Sequence, residues 1–244
     1  MKKVLVIVGL CLLAGYLIFA AFFFEDKPND VVCSSFEIVQ SSDTSKFIDL
    51  AEIEKTVAAK GLNPYGKQLK NINTYNIEQA ILSNPFIKTT RVYITGSGAV
   101  KAEITAKHPI LRVMPDSGES YYIDNEANVM PLSPHFTAYL PVATGHITRP
   151  FAQKELFQLA SFLQEDSFWN AQIEQIVVGA NNEIEFIPRV GNQRILFGKI
   201  ENIDKKLDKL MVFYRKGLNE TGWNRYNVIN LKYENQVVCT NNEK

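Results

Sequence analysis

The sequence predicts an α+β protein: one N-terminal membrane-spanning helix, a small domain of three strands and two helices, and a larger strand-rich domain with two helices. Three observations predict this. Val4 to Phe24 is a run of 21 residues without a charge. Between Phe36 and Ile104 the apolar pattern reads strand, helix, helix, strand, strand. From Ile110 onward, short alternating segments are punctuated by Gly, Asn and Pro.

A helix as long as the apolar run spans about 30 Å, the thickness of a bilayer's hydrocarbon core. Lys2 and Lys3 precede it, and Glu25 and Asp26 follow directly. Positive-inside orientation leaves the short N-terminus in the cytoplasm and sends the remainder across. Cleavage as a signal peptide fits poorly, because Phe19-Ala20-Ala21 lacks the small-x-small form and Phe22-Phe23-Phe24 prolongs the run. Cys11 does not mark a lipoprotein, since it lies deep in the run with Leu10 before it.

All 26 acidic residues lie beyond the run with 24 of the 26 basic ones, Lys2 and Lys3 being the other two. A nearly neutral exported part has no basic face for nucleic acid and no polybasic surface for lipid. Cys33 and Cys239 stand at its two ends. Sequence separation leaves open whether they meet, though two unrelated thiols suffice for a core of this size.

Residues around Phe36, Ile38 and Gln40 form the first strand. Asp49-Leu50-Ala51-Glu52 has capping-box form; Leu50, Ile53 and Val57 give the helix its stripe, and Gly61 suits its C-terminal end. A second helix covers about Thr74 to Leu82 and ends at Asn84-Pro85. Val92 and Ile94, the turn Gly96-Ser97-Gly98, and Val100, Ala102 and Ile104 make a hairpin. In the second domain, Tyr121 to Asp124 and Val129 to Leu132 flank a polar turn. Thr148 caps a helix with Pro150 near its start and an inward stripe of Ala152, Leu156, Leu159 and Leu163. A meander follows over Ile173 to Val178, Ile184 to Ile187 and Ile195 to Phe197, with turns at Asn181-Asn182 and Gly191-Asn192. The next helix carries Ile203, Leu207, Leu210, Met211 and Tyr214, and the last strand runs from about Tyr226 to Val238. The divisions are a tail 1–3, a membrane helix 4–24, a juxtamembrane segment and first domain 25–112, a second domain 113–240 and a tail 241–244.

Catalysis finds no foothold. His108, His135 and His146 are isolated, with no spacing that seeds a metal site, and no nucleophile motif is present. Asp124 and Glu126 read as a solvated turn rather than an acid–base pair. No catalytic residue, metal or cofactor is assigned. Asn219-Glu220-Thr221 is a formal sequon, relevant only in a glycosylating host. Binding has a better basis: the final strand, if at a sheet edge, offers unpaired backbone groups to a partner strand, with Tyr233, Val237 and Val238 supplying side-chain contacts. An internal strand would read the same.

Several stretches carry a family resemblance: Asn84-Pro85-Phe86-Ile87, Arg91-Val92-Tyr93-Ile94 and His108-Pro109-Ile110-Leu111-Arg112-Val113; then Tyr121-Tyr122-Ile123-Asp124 through Val129-Met130-Pro131-Leu132; then Phe197-Gly198-Lys199 with Lys206-Leu207; and Val228-Ile229-Asn230-Leu231-Lys232-Tyr233. Their order resembles the FtsQ/DivIB cell-division proteins over nearly the whole chain. The first domain is then a POTRA (polypeptide-transport-associated) domain of β-α-α-β-β order. The chain departs from the family at Ala127, near its glycine, at Asn230 for Asp and at Lys232 for Arg. The last two changes remove a charge and a bidentate donor.

The resemblance implies a non-enzymatic divisome scaffold in the bacterial inner membrane, a single-pass protein with its ectodomain in the periplasm at the division septum. It implies that the protein links early and late division proteins during septal peptidoglycan synthesis. It implies binding of the FtsB/FtsL coiled-coil pair through Lys232, Tyr233, Glu234, Asn235, Gln236, Val237 and Val238, and of other divisome proteins through the POTRA domain. A POTRA-bearing envelope protein handling exported polypeptides, or a signal-anchored envelope hydrolase, are the alternative expectations.

Overall fold

A computed structural model describes residues 12–19, 31–41 and 46–241. Of the expected span 4–24, residues 12–19 are helical with every side chain exposed; the rest of that span, the tail 1–3 and residues 25–30 lie outside the described residues. Among the described residues no helix is long and apolar enough to cross a membrane. The chain divides into two compact units.

The first unit contains β1 (Phe36–Gln40), α1 (Leu50–Ala59), α2 (Thr74–Leu82), most of β2 (Ile87–Ile94) and most of β3 (Val100–Ala106). The strand order is β1-β3-β2, with β1 parallel to β3, so the last strand lies in the middle. Ile53 and Val57 of α1 and Ile77, Ala80 and Ile81 of α2 are buried, as are Val92, Val100, Ala102 and Ile104 of the strands. α1 ends as its glycine requires. Gly61 takes φ +71°, its N–H donates to Ala58 O (2.9 Å), and the Leu62 N–H donates to Val57 O (3.0 Å). These two bonds satisfy carbonyls that the helix leaves open, and only a residue tolerant of positive φ permits both. Asn73 caps α2 by accepting from Asn76 N, and Glu78 Oε1 accepts from Val92 N at 2.7 Å, tying α2 to the sheet.

The second unit is built on a nine-stranded sheet of order β12-β11-β10-β9-β8-β7-β4-β5-β6. Its strands are β4 (Pro109–Pro115), β5 (Tyr121–Asp124), β6 (Val129–Met130), β7 (Val142–Gly145), β8 (Ile173–Val178), β9 (Ile184–Pro188), β10 (Arg194–Gly198), β11 (Tyr226–Asn230) and β12 (Val238–Asn241). All of β4, on both sides of the junction at 112/113, belongs to this sheet. Asn241, placed in the C-terminal tail from the sequence, pairs with Tyr226.

Among the described residues three helices accompany the sheet. Arg149–Phe151, the π-turn Ala152–Leu156 and Phe157–Glu165 follow without a break and are taken together as α3; α4 is Ser167–Gln172. Ile203–Val212, the π-turn Phe213–Leu218 and Asn219–Thr221 likewise make α5. The expectation of two helices is therefore corrected. α4 is short, but Asp166 caps it by accepting from the backbone N–H groups of Phe168 and Trp169. α3–α4 joins the parallel neighbours β7 and β8, and α5 joins the parallel neighbours β10 and β11, as same-direction strands require a long crossover.

One face of the sheet is dry. Val113, Ala143, Ile176, Phe186, Ile195 and Ile229 share a core with Leu156, Leu159 and Leu163 of α3, Trp169 of α4 and Leu207, Leu210 and Tyr214 of α5. The next residues along the same strands point the other way and carry polar pairs. Arg194 holds Glu185 through two nitrogens at 2.7–3.0 Å, and Gln175 Nε2 donates to Thr144 Oγ1 at 2.8 Å. From β7 to β10 this is the alternation of a sheet covered on one side, whereas at β5 and β6 the other face is buried too, Tyr122 and Met130 packing with Phe47 and Phe136.

Candidate partner-binding edge

The single strand expected over Tyr226 to Val238 is in fact a hairpin. β11 stops at Asn230, the chain turns through Glu234 and Asn235, and β12 returns antiparallel, pairing Val238 with Asn230 and Cys239 with Ile229. The cause lies in Asn230. Its Oδ1 accepts from Lys232 N at 3.0 Å, taking a donor that a continuing strand would offer to a ladder. Leu231 is fully buried, and its N–H donates to Leu196 O at 2.9 Å. Of the segment Lys232 to Val238 assigned to partner binding, only Val238 is in a strand. Lys232 to Val237 form the connecting turn.

The turn is held from two sides. Lys209 of α5 donates through Nζ to Leu231 O (3.1 Å) and to Tyr233 O. Burial lowers the pKa of this lysine, and the charge of Glu234 acts against that effect. On the other side Lys232 pairs with Glu183 at 3.0 Å. The hydrogen bond from Lys232, with help from Asn181, holds the Glu183 carboxyl below its ordinary pKa. The stem of Lys232 lies over Gly198, where an added Cβ would meet the lysine Cγ and Cδ at 2.9 Å. Gly198 also has φ +79°, so both space and backbone geometry call for glycine. Lys206 reaches back to donate to Lys199 O at 2.8 Å, its ammonium 4.6 Å from the centre of the Phe197 ring.

These contacts leave a defined surface. β12 ends the sheet: among the described residues it has a strand neighbour on the β11 side alone. Val238 is 40% exposed and Tyr233 51%, while Val237 and Cys239 pack against the core. Beside the turn, Lys209, Val212, Phe213, Lys216, Gly217 and Val237 line an open groove of about 500 Å³. Its wall depends on Gly217 within α5, against which the Phe213 ring packs so closely that an added Cβ would meet it at 2.7 Å. The surface offers unpaired backbone groups along β12, an apolar groove and two lysines; it can accept a strand and the side chains next to it.

Two comparisons bear on this arrangement. A POTRA-like domain model matches residues 31–105, and a model described as FtsQ/DivIB, C-terminal related, matches residues 108–240, more than half of the chain. The chain belongs to the FtsQ/DivIB family. No individually curated protein matches it. The family is one of cell-division proteins.

Within the FtsQ/DivIB framework, the chain's departures acquire physical meaning. Ala127, near the family's glycine, takes φ +63°. The turn it completes is organised by Asp124, 1% exposed, which accepts from the N–H groups of Glu126 (2.9 Å) and Asn128 (2.8 Å) and from Asn128 Nδ2 (3.2 Å). Glu126 pairs outward with Lys88 at 2.7 Å. The pair considered for acid–base work is thus a turn, but the expectation that it is solvated is corrected for Asp124: Glu126 is exposed, whereas Asp124 is buried with its carboxylate turned onto backbone N–H groups. Both thiols, Cys33 and Cys239, are free; Cys33 is buried and donates to Ser35 O at 3.1 Å. What sequence reasoning missed is β12, whose Val-Cys-Thr-Asn run is short, and Lys209, which looks like an ordinary solvated helix lysine.

Proposed function

We propose that this FtsQ/DivIB chain is a non-enzymatic scaffold of the bacterial divisome, and that β12 with its turn receives an FtsB/FtsL-like coiled-coil pair by strand addition. Lys232, Tyr233, Glu234, Asn235, Gln236, Val237 and Val238 form the contact segment. The observation that carries this reading is the edge strand with its open side beside an apolar groove. A partner strand on β12 satisfies backbone groups in pairs, and its alternate side chains fall toward the groove.

The POTRA-like domain, on this reading, meets other divisome proteins, so that one chain links early and late steps of septal peptidoglycan synthesis. The apolar run 4–24 anchors the protein in the inner membrane as a single pass, N-terminus in the cytoplasm and ectodomain in the periplasm. Tethering raises the local concentration of the binding surface without adding a contact.

The test is capture of a purified FtsB/FtsL pair by the full-length protein in detergent. Tyr233→Ala and Val238→Asp, both at exposed positions, are expected to lower the yield while leaving the circular dichroism spectrum unchanged. Undiminished capture by both the Tyr233 and the Val238 variant would rule out this edge.

A further inference from the structure

Three of the four sheet edges among the described residues carry a device against pairing with another chain. In the first unit β2 is an edge strand, and the Glu78 carboxylate takes the Val92 N–H at 2.7 Å, a donor that an incoming strand would need. β1, the other edge of that sheet, carries the exposed charge of Glu37 beside Lys101. In the second unit β6 stops at Met130, and Pro131 after it has no N–H. Charges and prolines are the usual means of keeping an edge from a foreign strand. β12 has neither: Gln236-Val237-Val238-Cys239-Thr240-Asn241 contains no charged residue and no proline. The one irregularity of its ladder, between Tyr226 and Val228, lies in β11 and not on the edge itself.

The register shows which groups this edge presents. β11 runs parallel to β10, and the Leu231 N–H donates to Leu196 O, so Ile229 and Leu231 turn their backbone groups to β10 while Val228 and Asn230 turn theirs to β12. Val228 stands opposite Thr240, and Asn230 opposite Val238. Thr240 and Val238 therefore face β11, and the N–H and C=O of Cys239 between them point outward. The Cys239 side chain lies on the core face with Val237; its thiol is free and only partly buried.

A second copy of the same strand fits this edge. Antiparallel pairing about a two-fold axis at Cys239 makes this residue its own partner, each copy giving one N–H and one C=O to the other. Val238 then stands opposite Thr240 of the second copy, and Val237 opposite Asn241 of the second copy, so all the pairs fall between Val237 and Asn241. No like charges meet across the axis, because the segment contains none. Residues that exchange both hydrogen bonds in an antiparallel pair have Cα atoms about 5.5 Å apart. That lies inside the roughly 4.4–6.8 Å that a disulfide spans, and the two thiols share one face of the joined sheet.

We infer that β12 pairs with β12 of a second copy of this chain in a two-fold ladder centred on Cys239, and that a partner strand must displace this second copy to reach the edge. The inference rests on the reading of β12 as a strand-addition edge. Self-pairing covers an edge that no charge or proline protects, and it makes the scaffold's free form a dimer through the same surface that its partner uses.

The test is oxidative cross-linking of the full-length protein in detergent micelles, with copper(II) phenanthroline as the oxidant. Cys11→Ser removes the thiol of the apolar run, and Cys33 is buried. Two Cys239 thiols release two protons and pass two electrons to copper(II), and one S–S bond forms between the copies. A disulfide-linked dimer is expected on a non-reducing gel, and Cys239→Ser should abolish it. In that Cys239→Ser background, Val238→Cys and Thr240→Cys together should restore the dimer, while either alone should not, because each faces the other across the axis. The purified FtsB/FtsL pair, added before the oxidant, should suppress the Cys239 dimer. Absence of that dimer, or its restoration by Val238→Cys alone, would overturn the self-pairing; capture of the pair in the same sample would leave the strand-addition reading standing. A dimer that captured FtsB/FtsL leaves undiminished would overturn the displacement.

Discussion

Lys209 and Leu231 are joined by a hydrogen bond from the lysine ammonium to the leucine carbonyl at 3.1 Å, and the same ammonium also reaches Tyr233 O. One side chain of α5 thus fixes the exit from β11 and the start of the turn into β12. Lys209→Met keeps the stem and removes the donors. Hydrogen bonds from a charged group are worth about 1.5–3 kcal/mol. The expected outcome is faster amide exchange over residues 233–241 with little change in β8 and β9. Unchanged exchange in the hairpin would show that the turn is held without the lysine.

Ala127 bears a strain that the family's glycine avoids. A non-glycine residue at positive φ costs about 1–2 kcal/mol, and the turn leaves Ala127 at φ +63°. Ala127→Gly is therefore expected to stabilise the second unit by about 1 kcal/mol in chemical denaturation, once the greater freedom of glycine in the unfolded chain is deducted.

Gly198 is expected to tolerate no side chain. Gly198→Ala adds a Cβ 2.9 Å from the Lys232 stem and places alanine at φ +79°. Destabilisation of about 2 kcal/mol or more follows from strain and steric conflict together. Adding Lys232→Ala should recover the steric part and leave the backbone part, a non-additivity that a double-mutant cycle in denaturant measures.

Tyr214 makes alkaline stability measurable. The phenol is 3% exposed among Trp169, Trp223 and Phe168, and burial pushes its pKa from 10.0 up to about 12. Above pH 10 the unfolded chain releases this proton while the folded one keeps it, so the unfolded state binds fewer protons and stability falls as pH rises. The contribution is fully present below pH 10.0 and lost progressively toward about 12. It amounts to roughly 2–3 kcal/mol for a difference of about two pH units. Tyr214→Phe should remove that part of the decline when unfolding is followed against pH, and an identical alkaline slope in both proteins would contradict it.

Much of this architecture was legible because local chemistry and tertiary demand agree. Gly61, Asn84-Pro85, Thr148 and the stripe Ala152, Leu156, Leu159 and Leu163 each signal an element in a few residues, and the structure uses them so. The terminal hairpin was not legible for the opposite reason. Tyr226 to Val238 is rich in strand-forming residues, and the break depends on one Asn230 side chain and on Leu231 turning inward. α4 was hidden by its length, six residues that a capping aspartate and the buried Trp169 stabilise together. Lys209 owes its interest to what lies across space from it, the carbonyls of Leu231 and Tyr233, which spacing along the chain does not encode.

The central claim is that β12 is completed by a partner strand. Hydrogen–deuterium exchange of the full-length protein, with and without the purified FtsB/FtsL pair, tests it most directly. Slower exchange concentrated in β12 and its turn, residues 233–241, is the expected result. Binding of the pair with exchange in that segment unaltered would contradict it.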